Sequence, residues 1–83
     1  MKTIKVYGAD WCGDTRRALQ HLDRAGVNYD YINVDDDPAA SDLVKQLNGG
    51  KELKPTIDIN GNILSVPSNA EIDQALDESS ATG

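Results

Sequence analysis

Cys12 is the single cysteine of this 83-residue chain, and it stands in Trp11-Cys12-Gly13-Asp14-Thr15, where a strand-like stretch gives way to a helix. A thiol at a helix N-terminus feels the partial positive charge of unpaired N–H groups, which favours thiolate, the form that attacks disulfides. The second sulfur of a Cys-x-x-Cys pair would fall at Thr15, so no disulfide closes within the chain. Arg16 or Arg17 favours ionisation of Cys12, whereas Asp10 and Asp14 oppose it. Thr15 reads first as a tolerated small replacement, and second as a hydroxyl that donates to the Cys12 sulfur. A buried, inert cysteine is the competing assignment, since free cysteine is among the most buried residue types.

Other chemistry is thin. One cysteine excludes a Cys-rich zinc site, and His21 alone supplies no second soft ligand. Asp35-Asp36-Asp37 followed by Pro38 reads as a helix cap rather than a metal site. No metal is expected. Tyr29 and Tyr31 read as strand packing, and His21 as a surface residue.

Around Cys12 the elements follow from periodicity. Thr3 to Tyr7 alternates, with Ile4 and Val6 on one face and Gly8 ending the strand. A helix from about Gly13 to Ala25 carries Ala18, Leu19, Leu22 and Ala25 as its apolar stripe, with Gly26 as C-cap. Val27 to Val34 is the second strand. Ala40, Leu43, Val44 and Leu47 form the face of a helix that opens at Pro38 and stops at Asn48-Gly49-Gly50. Pro55 to Ile59 and Asn62 to Val66 flank Asn60-Gly61, the signature of a type I′ hairpin. Ser68 and Glu71 form a capping box for a last helix whose inward face is Ile72, Ala75 and Leu76. The expected domain is 1–78, with 79–83 a flexible, frayed tail.

The order β-α-β-α-β-β-α implies a parallel first pair, an antiparallel hairpin and a four-stranded mixed sheet flanked by three helices, an α/β domain. Fourteen acidic residues against eight basic ones, a net charge of −6, argue against a nucleic-acid partner or an anionic membrane surface. No apolar stretch approaches the roughly 20 residues of a membrane span, and the first residues alternate rather than form a signal peptide. With no disulfide scaffold, a cytoplasmic monomer is expected.

Three stretches then resemble the short, glutaredoxin form of the thioredoxin fold, in its mycoredoxin and bacterial glutaredoxin-like branch. Trp11-Cys12-Gly13 matches the opening of that active site. Asn48-Gly49-Gly50 with Lys54-Pro55-Thr56-Ile57 is similar to an Asn-Gly-Gly…Val-Pro-Thr-Val segment, and Pro67-Ser68 with Glu71-Ile72 to a Pro-Ser-x-x-Glu-Val helix start. The resemblance implies a redox-active centre for thiol–disulfide exchange, with Cys12 as nucleophile supported by Trp11, Gly13, Asp14, Thr15 and Arg16. It implies a cis bond before Pro55, with Lys54, Pro55, Thr56, Ser68 and Asn69 binding the thiol or peptide. It also implies a low-molecular-weight thiol co-substrate of the glutathione or mycothiol type and no tightly bound cofactor. The partners would be proteins carrying disulfides or mixed disulfides.

The departures are Thr15 for the resolving cysteine, Lys54 at a usually uncharged position, and no lysine shortly before Cys12. Three activities stay open: a monothiol oxidoreductase ranks first, then a catalytically weakened binding module for extended peptides or thiols, then an iron–sulfur carrier.

Overall fold

A computed structural model describes the backbone of residues 3–82 and the side chains of 3–78. The elements run β1 (Ile4–Gly8), α1 (Gly13–Arg24), β2 (Asp30–Asn33), α2 (Pro38–Leu47), β3 (Thr56–Ile59), β4 (Asn62–Ser65) and α3 (Asn69–Thr82). The sheet order is β2-β1-β3-β4. β1 pairs parallel with β2 and antiparallel with β3, and β3 pairs antiparallel with β4. The topology is the expected one, a thioredoxin-like mixed sheet.

Alternation along the strands sorts the core into two layers. Ile4, Val6, Ile57 and Ile59 face one side, where they pack with Ala18, Leu22, Ile72 and Ala75 from α1 and α3. Tyr7 and Val34 meet Ala40 and Val44 of α2 on the other side. Because α2 covers its side alone, Leu43 and Leu47 remain 38% and 39% exposed although they lie on its apolar stripe. Ala25 is likewise exposed rather than part of the α1 stripe, and Thr15 takes a place in that stripe instead.

Local signals fix the ends of the elements. Gly26, with φ +72°, follows α1; its N–H bonds the Asp23 carbonyl, and the Val27 N–H bonds that of Leu22, which is a Schellman closure. At the end of α2, Gly49 is left-handed and the Gly50 N–H reaches the Lys45 carbonyl at 2.7 Å. Asn60 and Gly61 both have positive φ in the β3–β4 turn. The Asp37 carboxylate accepts from the Ala40 N–H at 3.1 Å, with Pro38 opening α2.

Two boundaries differ from the sequence expectation by more than a residue or so. β2 begins at Asp30, not Val27, because the chain leaving α1 is occupied in the helix closure before it reaches β1. α3 continues through Thr82, across most of the stretch expected to fray; no glycine or proline interrupts it before Gly83, which lies outside the described residues.

β1 ends where space is tightest. A Cβ on Gly8 would fall 2.5 Å from Cγ2 and 2.6 Å from Oγ1 of the buried Thr15. Gly8→Ala is therefore expected to lower stability by about 1–3 kcal/mol in urea denaturation. Combining it with Thr15→Ala, which vacates the space, should cost less than the two single losses added together.

Candidate active site

Cys12 is the N-cap residue of α1, with extended backbone (φ −79°, ψ 120°), and is partly exposed. Its own N–H bonds the Ala9 carbonyl at 3.1 Å, and its carbonyl accepts from the Arg16 N–H at 3.1 Å. The sulfur thus occupies the place of a capping oxygen, facing the free N–H groups of the first turn. No side-chain cap hydrogen bond closes there.

Those groups still set the thiol's character. Partial burial is the largest single influence and disfavours the thiolate, but it is outweighed by the Thr15 N–H, the Thr15 hydroxyl and the Asp14 N–H. The Asp14 carboxylate opposes them, and the net result holds the Cys12 pKa below the ordinary thiol value. The two arginines are placed differently from each other. Arg16 is exposed. Arg17 donates to Asn69 Oδ1 at 2.7 Å and to the Pro67 carbonyl at 2.9 Å, and lies 3.8 Å from Asp14. It acts as a clamp between α1 and the start of α3.

Thr15 favours the second of its two sequence assignments. It is fully buried, its Oγ1 accepts from the Ala9 N–H at 3.4 Å, and its proton is left for the Cys12 sulfur. Gly13 opens the helix with nothing near its missing Cβ.

Opposite the sulfur lies the segment before β3. The Lys54–Pro55 bond is cis, and the Cys12 Sγ donates to the Lys54 carbonyl at 3.9 Å. Chain segments 42 residues apart in sequence thus meet at the thiol. The Lys54 ammonium sits 4.7 Å from the Trp11 ring centroid, a cation–π contact worth roughly 0.5–1 kcal/mol at an exposed site. It also lies 3.2 Å from Glu52 Oε1. Glu52 in turn accepts from the Ser41 hydroxyl at 2.8 Å, and these partners, Ser41 first and then Lys54, hold its carboxyl below the usual range.

Trp11 is 67% exposed yet anchored, its Nε1 donating to Asp35 Oδ2 at 2.7 Å. On the same side the Tyr31 hydroxyl donates to Asp10 Oδ1 at 2.7 Å; burial first, and then that carboxylate, push the phenol well above its ordinary range. Asp35, Tyr31 and Glu52 are the site residues that sequence reasoning missed, and Arg17 was named there in a different role. The sequence groups Asp35 with Asp36 and Asp37 as a cap, whereas Asp37 is the residue that caps α2 and Asp35 holds Trp11.

The remaining expected binding residues divide. Pro55 stands beside the sulfur, but its carbonyl is taken by the Val66 N–H at 2.8 Å. The Thr56 side chain does not line the site: it is fully buried, donating to the Leu53 carbonyl at 2.8 Å and accepting from Asn48 Nδ2 at 3.1 Å. The side of β3 it occupies, shared with Tyr7, faces α2. Ser68 and Glu71 close their capping box through bonds of 2.9 and 3.1 Å. Ser68 and Asn69 nonetheless line a shallow groove with Asp14, Arg17 and Val66.

Among the described residues no group of three His, Cys, Asp or Glu side chains could hold a metal ion, and no helix is long and apolar enough to cross a membrane.

The thiol's electrostatics yield a measurable expectation. Alkylation of Cys12 followed against pH should show reactivity persisting below the pH at which an ordinary thiol loses it. Thr15→Val keeps the shape and removes the hydroxyl proton, so its reactivity midpoint should move to higher pH; an unmoved midpoint would refute the hydroxyl–sulfur contact.

Comparison with known proteins agrees with this geometry. A family model for glutaredoxin matches residues 4–64. Mycoredoxin 1 of Corynebacterium glutamicum is 40% identical over 57 residues, covering 69% of this chain and 70% of that protein. A protein of Mycobacterium tuberculosis named as a glutaredoxin is 30% identical over 74 residues, 88% of each chain. In structure, the glutaredoxin of Archaeoglobus fulgidus superimposes with a TM-score of 0.75 at 18% identity, covering 92% of this chain and 87% of the other. With a sulfur at the mouth of α1, a cis proline facing it and a family match across both, this chain belongs to the glutaredoxin family.

Proposed function

We propose that the protein is a monothiol thiol–disulfide oxidoreductase. The observation that carries this reading is the partly exposed Cys12 sulfur, its pKa lowered at the start of α1 and the Lys54 carbonyl 3.9 Å away. In the first step the Cys12 thiolate attacks the small-thiol sulfur of a protein mixed disulfide. A Cys12–small-thiol disulfide forms, and the substrate protein leaves as thiolate, taking a proton from water. In the second step a free small thiolate attacks the sulfur of that adduct derived from the first small thiol. Cys12 thiolate is regenerated and the disulfide of the small thiol leaves. The balance closes without any cofactor: the mixed disulfide is consumed, the disulfide of the small thiol is formed, and one free small thiol is used per turnover.

Thr15 makes this order of events necessary: with no second sulfur, the adduct waits for an external thiol. The co-substrate is a low-molecular-weight thiol of the glutathione or mycothiol type, and the partners are proteins carrying mixed disulfides. A reducing cytoplasm suits a monomer whose one cysteine is free. The loop that carries Cys12 is braced by Trp11–Asp35 and Tyr31–Asp10, so the nucleophile is held in place before a substrate arrives.

Incubation with glutathione disulfide above the thiol pKa should add one glutathione to Cys12, read by mass spectrometry. Excess free thiol should remove it, and Cys12→Ser should show no adduct. Absence of the adduct on the unaltered chain would end this reading.

A further inference from the structure

A lysine beside a reactive sulfur is the obvious anchor for a carboxylate on an incoming thiol, but here its charge is already engaged. Lys54 Nζ lies 3.2 Å from Glu52 Oε1 and 4.7 Å from the centre of the Trp11 ring, and its side chain is only 17% exposed. Glu52 is itself held, by the Ser41 hydroxyl at 2.8 Å and the Lys45 ammonium at 4.0 Å, both from α2. The second candidate anchor, Arg17, is tied to the Pro67 carbonyl, Asn69 and Asp14. Arg16 is exposed, where solvent and salt screen its field. Asp14, exposed and next to the sulfur's own turn, repels anions.

We propose that Glu52 sets the thiol selectivity of Cys12: by holding the Lys54 ammonium, it favours disulfides whose thiol portion carries no carboxylate over those that do. This rests on the oxidoreductase reading and concerns which disulfides that site accepts. Glu52 is a positioning residue. It touches no reacting atom and acts through Lys54, whose backbone carbonyl meets the sulfur and whose side chain packs on Trp11. The physical basis is simple: an ion pair preformed within the protein presents little net charge to a ligand, and an approaching carboxylate would have to displace Glu52 to use it.

The test compares rates of Cys12 adduct formation by the full chain with two small symmetric disulfides, dithiodipropionate (anionic) and bis(2-hydroxyethyl) disulfide (neutral). The neutral rate is the internal reference, and the quantity read is the anionic-to-neutral ratio. Glu52→Gln leaves an oxygen for the Ser41 hydroxyl but frees the ammonium. It should raise the ratio roughly five-fold at low salt, the scale of one unit charge a few ångströms away near water. The gain should fade in high salt, and Glu52→Gln with Lys54→Gln should return the ratio to its starting level. Ser41→Ala, which loosens Glu52 without removing its charge, provides an independent variant and should raise the ratio by less. An unchanged ratio in Glu52→Gln and Ser41→Ala, with Cys12 adducts still forming, would overturn the proposal alone. Failure of the unaltered chain to form an adduct with either disulfide would overturn the oxidoreductase reading and the proposal with it.

Discussion

The active-site end of this molecule depends on one hydroxyl. Thr15 is fully buried against the last residue of β1, in the first turn of the helix that Cys12 caps. A hydroxyl carries one proton and two lone pairs; here a lone pair meets the Ala9 N–H and the proton faces the sulfur. The strand end, the loop and the first helical turn are thereby referenced to the same side chain. The missing Cβ of Gly8 is what admits it, which explains why β1 must end in glycine when position 15 carries a β-branched residue.

Around that anchor the protein uses acidic side chains as braces. Asp35 holds the Trp11 indole, Asp10 holds the Tyr31 phenol, and Glu52 holds Lys54. Each joins the neighbourhood of Cys12 to a different segment, so the loop keeps its shape although Trp11 lies largely in solvent. Part of the excess negative charge is therefore structural, spent on positioning rather than on a field for distant ligands. Asp14, a further carboxylate in the sulfur's own helical turn, acts on the sulfur itself, against ionisation.

Legibility from the sequence followed the range of the interaction. The hairpin at Asn60-Gly61, the cap at Asp37-Pro38 and the box formed by Ser68 and Glu71 all depend on residues within four positions of one another, and each appears where the sequence places it. The Cys12–Pro55 pairing was legible only through family resemblance, since nothing local joins positions 12 and 55. Side-chain partners across the fold were not legible. Trp11 and Asp35 are 24 residues apart, and Arg17 and Asn69 are 52 apart. Residue type alone gave Arg17 a role in ionising Cys12 and Asp35 a capping role, because each side chain is chemically capable of more than one. Thr56 erred in the opposite direction: adjacency to Pro55 suggested a ligand contact, but strand alternation turns its side chain toward α2.

Under the proposed monothiol cycle, the fully buried Thr15 has a consequence for stoichiometry. A chain with one sulfur trades partners one for one, so at equilibrium its thiolated fraction follows the first-power ratio of oxidised to reduced small thiol. Diluting or concentrating that whole pool leaves the fraction where it was. A two-sulfur site releases both halves of the small disulfide and so responds to the square of the reduced concentration. Substituting threonine for the second sulfur makes such a chain a gauge of the pool's composition, indifferent to its size.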